Sequence, residues 1–201
     1  MLSAEAARAA LAPAAALGAW LYARPRHVLV GLLVAHWLAV LAFALAVRHN
    51  GVVYYQGGDQ IGYTTTAWLV AHGELPPTFV GYGWVLPLVP VAWLARADYV
   101  SFMPWIFALN VVVLAPVALA CVYGIAARIG GRVLALWAAA LWVAAPLLSI
   151  PFFRDDYHER FVDQFLPQAL GLSGLADYPS MVCLLVAAYL TIRVLEGADW
   201  T

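Results

Sequence analysis

Four long apolar runs without charged residues dominate the chain. The charged residues that bound these runs are Arg26 and Arg48, Asp98 and Arg128, Arg132 and Arg154, and Asp177 and Arg193. A helix needs about 20 apolar residues to cross the hydrocarbon core of a bilayer. We therefore predict four membrane spans, near residues 28–47, 102–127, 133–151 and 178–194.

A fifth uncharged run, between Glu74 and Arg96, is interrupted by residues that favour turns. It contains Pro76, Pro77, Gly81, Gly83, Pro87 and Pro90. Prolines inside a helix remove backbone hydrogen bonds, which is costly in lipid. The continuous part, 84–95, has only about 12 residues, a length that favours an interfacial or re-entrant helix over a span.

Composition supports the same class of protein. Of the 201 residues, 65% are hydrophobic and only 10% are charged, whereas soluble domains carry about a quarter charged residues. The net charge is −1 and there is no lysine, so the chain lacks the basic surface of a nucleic-acid-binding protein. We predict an all-α fold, a polytopic transmembrane helix bundle, and no nucleic acid partner.

The arginines favour one orientation in the membrane. With four spans, the 1–27 segment, the turn between spans two and three, and the 196–201 tail share one side, which the positive-inside rule makes cytoplasmic. The outer loops are then 48–101 and 152–177. We expect a cytoplasmic or interfacial segment over 1–27, a transmembrane module over 28–195 and a truncated tail over 196–201, in a bacterial-type plasma membrane.

The first outer loop carries a candidate acid. Asp59 follows two glycines and precedes a predicted helix from Gln60 to His72. Asp59 and Tyr63 share one face of that helix. Asp59 is either a helix N-cap, a general base, or both.

The second outer loop holds five of the eleven acidic residues, which are Asp155, Asp156, Glu159, Asp163 and Asp177. One interpretation is a solvated loop with aromatic anchors at the interface. The other is a polar site formed by Asp155, Asp156, His158 and Glu159. As an alternative to metal binding there, Arg154 and Arg160 are candidates to bind a phosphate through their guanidinium groups. His158 and Glu159 leave a divalent metal possible, although adjacent helical residues point in different directions.

The order of these features resembles the N-terminal part of the GT-C superfamily of membrane glycosyltransferases. The matching residues are Gly58-Asp59-Gln60, Ala71-His72-Gly73, Gly81-Tyr82-Gly83-Trp84, Gly130-Gly131-Arg132 and Ala145-Pro146-Leu147-Leu148. Many members have Asp-Glu where this chain has Asp59-Gln60.

The resemblance implies transfer of a sugar from a polyprenyl-phosphate donor to an acceptor on the outer face of the membrane. It implies that Asp59 is the catalytic carboxylate. The substrate-binding residues expected with it are Gln60, Tyr63, Arg154, Asp155, Asp156, His158, Glu159 and Asp177. The alternative is a non-catalytic membrane subunit or lipid-binding partner of a larger assembly, since four helices form only a small bundle.

Overall fold

The computed structural model describes residue 16 and residues 18–46, 58–153 and 165–197, and these contain helices and connecting turns but no strand. The elements are α1 (Pro25–Ala46), α2 (Gly58–Ala71), α3 (Tyr82–Ala92), α4 (Tyr99–Ala108), a π-helical segment (Leu109–Leu114), α5 (Ala115–Leu148), α6 (Leu166–Ala169) and α7 (Asp177–Leu195). Residues 18–23 are also helical. The predicted all-α class is confirmed over this part of the chain.

Three helical segments of the described chain are long and apolar enough to cross a membrane. They are Pro25–Ala46, Tyr99–Phe153 and Asp177–Leu195. The second combines α4, the π-helical segment and α5 into 55 residues, where the sequence predicts two separate spans. The structure is that of a membrane-helical protein with three candidate spanning segments.

The 55-residue segment folds back on itself at Gly130 and Gly131. Gly131 has φ 74° and ψ −172°, a conformation that is accessible essentially only to glycine. The residues on either side meet again, because Leu119 and Trp142 line one narrow cavity beside α1. A continuous helix would separate these two residues by about 35 Å. The segment is therefore a helical hairpin with a first arm up to 129 and a second arm from 132.

Helices α1 and α7 both pack on this hairpin. Gly124 permits a close approach of α7, because a Cβ there would lie 2.5 Å from the Tyr189 ring. Arg128 bonds to Glu196 at 2.8 Å and lies 5.0 Å from the centre of the Tyr189 ring. We call the end of the bundle that contains Arg128, Glu196 and the glycine turn the arginine end.

Two helices, α2 and α3, lie within the predicted first outer loop, and they pack on α4 at the other end of the bundle. Their shared core includes the fully buried Val85, Leu88, Phe102, Met103 and Ile106. Helix α3 has 11 residues and contains Pro87 and Pro90. It is therefore too short to span a bilayer, as its interrupted sequence predicts.

Candidate functional site

The candidate site lies at the acidic end, which we define as the end of the bundle where α2 and the first turn of α7 lie. Helix α7 shows that the acidic end and the arginine end are opposite ends of the bundle. Asp177 is the first residue of α7, and Glu196, which pairs with Arg128, follows its last residue. Nineteen residues of helix separate the two ends by about 28 Å. Asp59 and Asp177 are both solvent-exposed at the acidic end.

Asp59 and Asp177 come from the two predicted outer loops and converge on Tyr63. Each stands in the first turn of its helix, where a carboxylate is stabilised by the helix dipole. Burial raises the pKa of the Tyr63 phenol, and the negative charges of Asp59 and of Asp177 raise it further. The structure thus brings together three of the residues that the sequence singled out.

Gln60 lies beside Asp59 but points into the protein. It is fully buried, and its amide nitrogen donates to the Ser173 hydroxyl at 3.1 Å. The Tyr99 hydroxyl donates to the amide oxygen of Gln60 at 3.2 Å. The first bond ties α2 to the chain that precedes α7, and the second ties α2 to the start of α4, so the side chain of Gln60 holds these three parts of the chain together.

Residues 171–175, which we call the anchored loop, are held by two further side chains. The indole nitrogen of Trp84 donates to the Gly174 carbonyl at 3.2 Å. The Asn110 amide nitrogen donates to the carbonyls of Gly171 and Ser173, both at 3.1 Å. Since the anchored loop leads directly into α7, these bonds fix where Asp177 stands relative to Asp59.

Sequence reasoning missed this role of Asn110, although a signal was present. Asn110 is the only Asn, Gln, Ser or Thr within the predicted span 102–127. A lone polar residue in a span usually faces the interior of the bundle and has a partner there. The residue is fully buried, and its two acceptors lie more than sixty positions away along the chain.

The π-helical segment contains Asn110, and Pro116, just after the segment, explains its irregular hydrogen bonding. The Ala115 N–H bonds to the Asn110 carbonyl, a spacing of five residues. The next bond of that pattern would run from residue 116 to Val111, but proline has no N–H. The freed Val111 carbonyl accepts a hydrogen bond from the Trp37 indole of α1 at 2.9 Å.

Two shallow clefts open at the acidic end. One, of about 200 Å³, is lined by Phe165, Gln168, Ala169, Asp177, Tyr178 and Met181. The other, of about 350 Å³, lies between α2 and residues 76–79 and includes Gly58. The first combines an exposed carboxylate with apolar walls, an arrangement that can hold a polar group attached to a hydrocarbon chain.

Six of the residues predicted for the site or for phosphate binding lie outside the described residues, namely Arg154, Asp155, Asp156, His158, Glu159 and Arg160. Their predicted roles therefore stay predictions. Within the described ranges, no three His, Cys, Asp or Glu side chains cluster closely enough to hold a metal ion. The possible divalent metal, which the sequence linked to His158 and Glu159, stays untested.

Comparison with known proteins adds no relative to this picture. No protein-family model matches the chain, and no curated protein or solved structure matches it significantly. The function of the chain is therefore inferred from the geometry of the acidic end and from the resemblance of its sequence to the GT-C superfamily.

Proposed function

We propose that this chain is an integral membrane glycosyltransferase, or the N-terminal module of one, which uses a polyprenyl-phosphate sugar as donor. The observation that carries the proposal is the placement of two exposed carboxylates, Asp59 and Asp177, on either side of the hydrogen bond that joins Gln60 of α2 to Ser173 in the anchored loop. Two exposed carboxylates from separate loops at one end of a membrane bundle suit an acceptor hydroxyl that must lose a proton. Gln60, Trp84 and Asn110 support the proposal because they hold both acids in a fixed relation.

The proposed reaction is a direct displacement. Asp59 accepts the proton of the acceptor hydroxyl while the hydroxyl oxygen attacks the anomeric carbon of the sugar. The bond between that carbon and the phosphate oxygen breaks, and the electron pair leaves with the polyprenyl phosphate. Asp177 and Tyr63 orient the acceptor or the sugar, and Arg154 is the proposed partner of the leaving phosphate.

The proposed topology has four crossings, with both acidic loops on the outer side. The fold-back at Gly130 and Gly131 supports four crossings, because it divides the 55-residue segment into two antiparallel arms. Arg24, Arg128 and Arg132 gather at the opposite end from Asp59 and Asp177. The positive-inside rule makes that arginine end cytoplasmic.

Asp59→Asn tests the proposal in the full chain reconstituted in liposomes. Transfer is measured with a panel of labelled polyprenyl-phosphate sugars and simple acceptors, with release of the polyprenyl phosphate as a second readout. We expect Asp59→Asn to lower transfer by about 10²-fold or more, the usual contribution of a general base. Glu74→Gln is the matched control, since Glu74 is another exposed acid near α2 and should leave transfer unchanged.

Retention of full transfer by Asp59→Asn would remove the carboxylate from the mechanism. Absence of transfer by the wild-type chain with every donor of the panel, combined with co-purification of a second membrane chain, would instead favour the non-catalytic subunit. Far-UV circular dichroism and gel-filtration profiles matched to wild type establish that a loss of transfer is not a loss of folding.

A further inference from the structure

A second feature lies at the arginine end, away from the proposed sugar site. A groove of about 430 Å³ runs between the short helix 18–23 and the second arm of α5. We propose that this groove binds one anionic phospholipid of the bilayer, with an acyl chain in the groove and the phosphate at Arg132 and Arg24. The proposal is independent of the glycosyltransferase activity.

The walls of the groove suit a hydrocarbon chain. They are formed mainly by Leu21, Tyr22, Val133, Leu136, Trp137 and Ala140. The groove faces outward, because Trp137 is 64% exposed and Val133 is 56% exposed. Its volume falls in the range of small-molecule sites, about 300–1,000 Å³. An outward-facing apolar groove in a membrane-helical protein is open to the acyl chains of the surrounding lipid.

The mouth of the groove is positively charged. The Arg132 guanidinium donates to the Tyr22 carbonyl at 3.0 Å and lies 5.0 Å from the centre of the Tyr22 ring. Tyr22 itself lines the groove, so this charge stands at its entrance. Arg24, in the following turn of chain, lies 5.2 Å from the centre of the Trp20 ring.

Neither Arg24 nor Arg132 is paired with a carboxylate in the described part of the chain, where the ion pair found is Arg128 with Glu196. The contact to the Tyr22 carbonyl uses one N–H of Arg132, and a guanidinium has five. The remaining donors form a planar fork that matches phosphate oxygens. The positive charge of the mouth thus favours a headgroup with a net negative charge over a zwitterionic headgroup, whose phosphate is already balanced by its own cation.

The position of the groove indicates that the phosphate belongs to a lipid rather than to a soluble molecule. The arginines stand where α1 and the second arm of α5 begin, which is headgroup depth for helices that span the bilayer. Basic pockets between membrane helices at this depth bind anionic headgroups. A soluble phosphate would use the arginines but leave the apolar groove empty.

The test uses the full chain purified in detergent, with phosphatidylglycerol and phosphatidylcholine of identical acyl chains as probes. Retained lipid is counted by native mass spectrometry, and thermal stability is followed during lipid titration. We expect one phosphatidylglycerol retained per chain and a rise in melting temperature that saturates. Phosphatidylcholine has a phosphate but no net negative charge, and glycerol phosphate has no acyl chains, so neither probe should be retained or raise the melting temperature.

Three variants separate the contribution of the arginine charges to lipid binding from the contribution of the apolar groove. Arg132→Gln and Arg24→Gln should each weaken phosphatidylglycerol binding by about fivefold, the effect of one arginine near an anionic headgroup. Arg96→Gln is the matched control, because Arg96 is an exposed arginine at the acidic end and should leave binding unchanged. Ala140→Trp fills the groove without changing charge and should abolish retention.

Three results would overturn the proposal. The first is equal retention of phosphatidylglycerol and phosphatidylcholine by the wild-type chain, a result that does not depend on any variant folding correctly. The second is unchanged binding in both Arg132→Gln and Ala140→Trp. The third is cross-linking of the groove, in the presence of phosphatidylglycerol, to residues 1–15 or to a second copy of the chain, since either would already occupy it.

Discussion

At the scale of single residues, the site depends on which side chains are exposed and which are buried. Asp59 and Gln60 are neighbours in sequence, yet Asp59 is exposed and Gln60 is fully buried. Adjacent residues of a helix point about 100° apart, so one faces solvent while the other faces the anchored loop. The division gives Asp59 a chemical role in the proposal and Gln60 a positioning role.

The pKa of the Tyr63 phenol reports how close the carboxylates of Asp59 and Asp177 lie to it. We expect the pKa of its phenol to fall in Asp59→Asn and in Asp177→Asn, because each substitution removes a negative charge that opposes formation of the phenolate. Burial, the largest cause, should still keep this pKa above 10.0. The pKa is obtained from phenolate absorbance, as the difference between each variant and the same variant carrying Tyr63→Phe.

The sign of the pH effect follows from the raised pKa. The folded state holds the Tyr63 proton more tightly than the unfolded state, so its contribution to stability is complete below pH 10.0 and is lost as pH rises through the folded pKa. Glu74→Gln should leave the titration of Tyr63 unchanged. A pKa that does not move in Asp177→Asn would contradict the convergence of the two loops.

At the scale of elements, the joint between α4 and α5 organises the bundle. The π-helical segment turns Asn110 toward the anchored loop and offers the Val111 carbonyl to Trp37. A carbonyl without a donor is costly inside a membrane protein, where water is scarce. One irregular turn therefore connects α1, the central hairpin and the chain leading to Asp177.

Trp37→Phe tests this joint. Loss of the indole N–H leaves the Val111 carbonyl unsatisfied, and we expect the free energy of unfolding to fall by about 1–3 kcal/mol. Unfolding is followed by circular dichroism during titration with a denaturing detergent. Trp93→Phe is the control, since Trp93 is 69% exposed, and its effect should stay within about 0.5 kcal/mol.

A double-mutant cycle sharpens the test. Pro116→Ala restores an N–H that can reach the Val111 carbonyl, so Trp37→Phe should lose less stability in that background than in wild type. Equal losses in the two backgrounds would show that the proline does not create the free carbonyl.

At the scale of the whole molecule, the two ends of the bundle differ in charge and chemistry. Arg24, Arg128 and Arg132 gather at one end, while Asp59 and Asp177 stand at the other. In the proposed topology the arginine end is cytoplasmic, so the sugar site and the lipid site face opposite leaflets.

Cysteine labelling in sealed cells tests this topology. Single cysteines at Glu74, Gln168 and Glu196 are placed in a background where Cys121 and Cys183, the free cysteines of the described chain, are replaced by alanine. A membrane-impermeant maleimide should label positions 74 and 168 from outside and label position 196 only after the cells are opened. Labelling of 74 and 168 from opposite sides would instead require an odd number of crossings between them.

Some of the site was predictable from local pattern and some was not. Asp59 and Tyr63 follow from a helix-face argument, whereas Asp177 entered the predicted site through the resemblance to the GT-C superfamily. Trp84, Ser173 and Asn110 were not found, because their bonds join positions far apart along the chain. The described residues do not include Arg154, Asp155, Asp156, His158 and Glu159, so the roles predicted for these residues stay predictions.

The sequence by itself determined the class of protein and the approximate position of each apolar helix. Hydrophobic length and the placement of charges are local quantities, and the bilayer fixes what length is needed. It also marked the fold-back, because a pair of glycines beside Arg132 interrupts two apolar runs.

Only the tertiary structure decided which polar groups meet. The approach of Asp177 to Tyr63, the burial of Gln60 and the groove beneath Arg132 depend on how the helices pack. Packing is set by shape and by hydrogen bonds between distant residues, such as those of Asn110 and Trp37. Hydrophobic periodicity does not predict these pairings, because it shows which face of a helix is buried but not which polar side chains become neighbours when the helices pack.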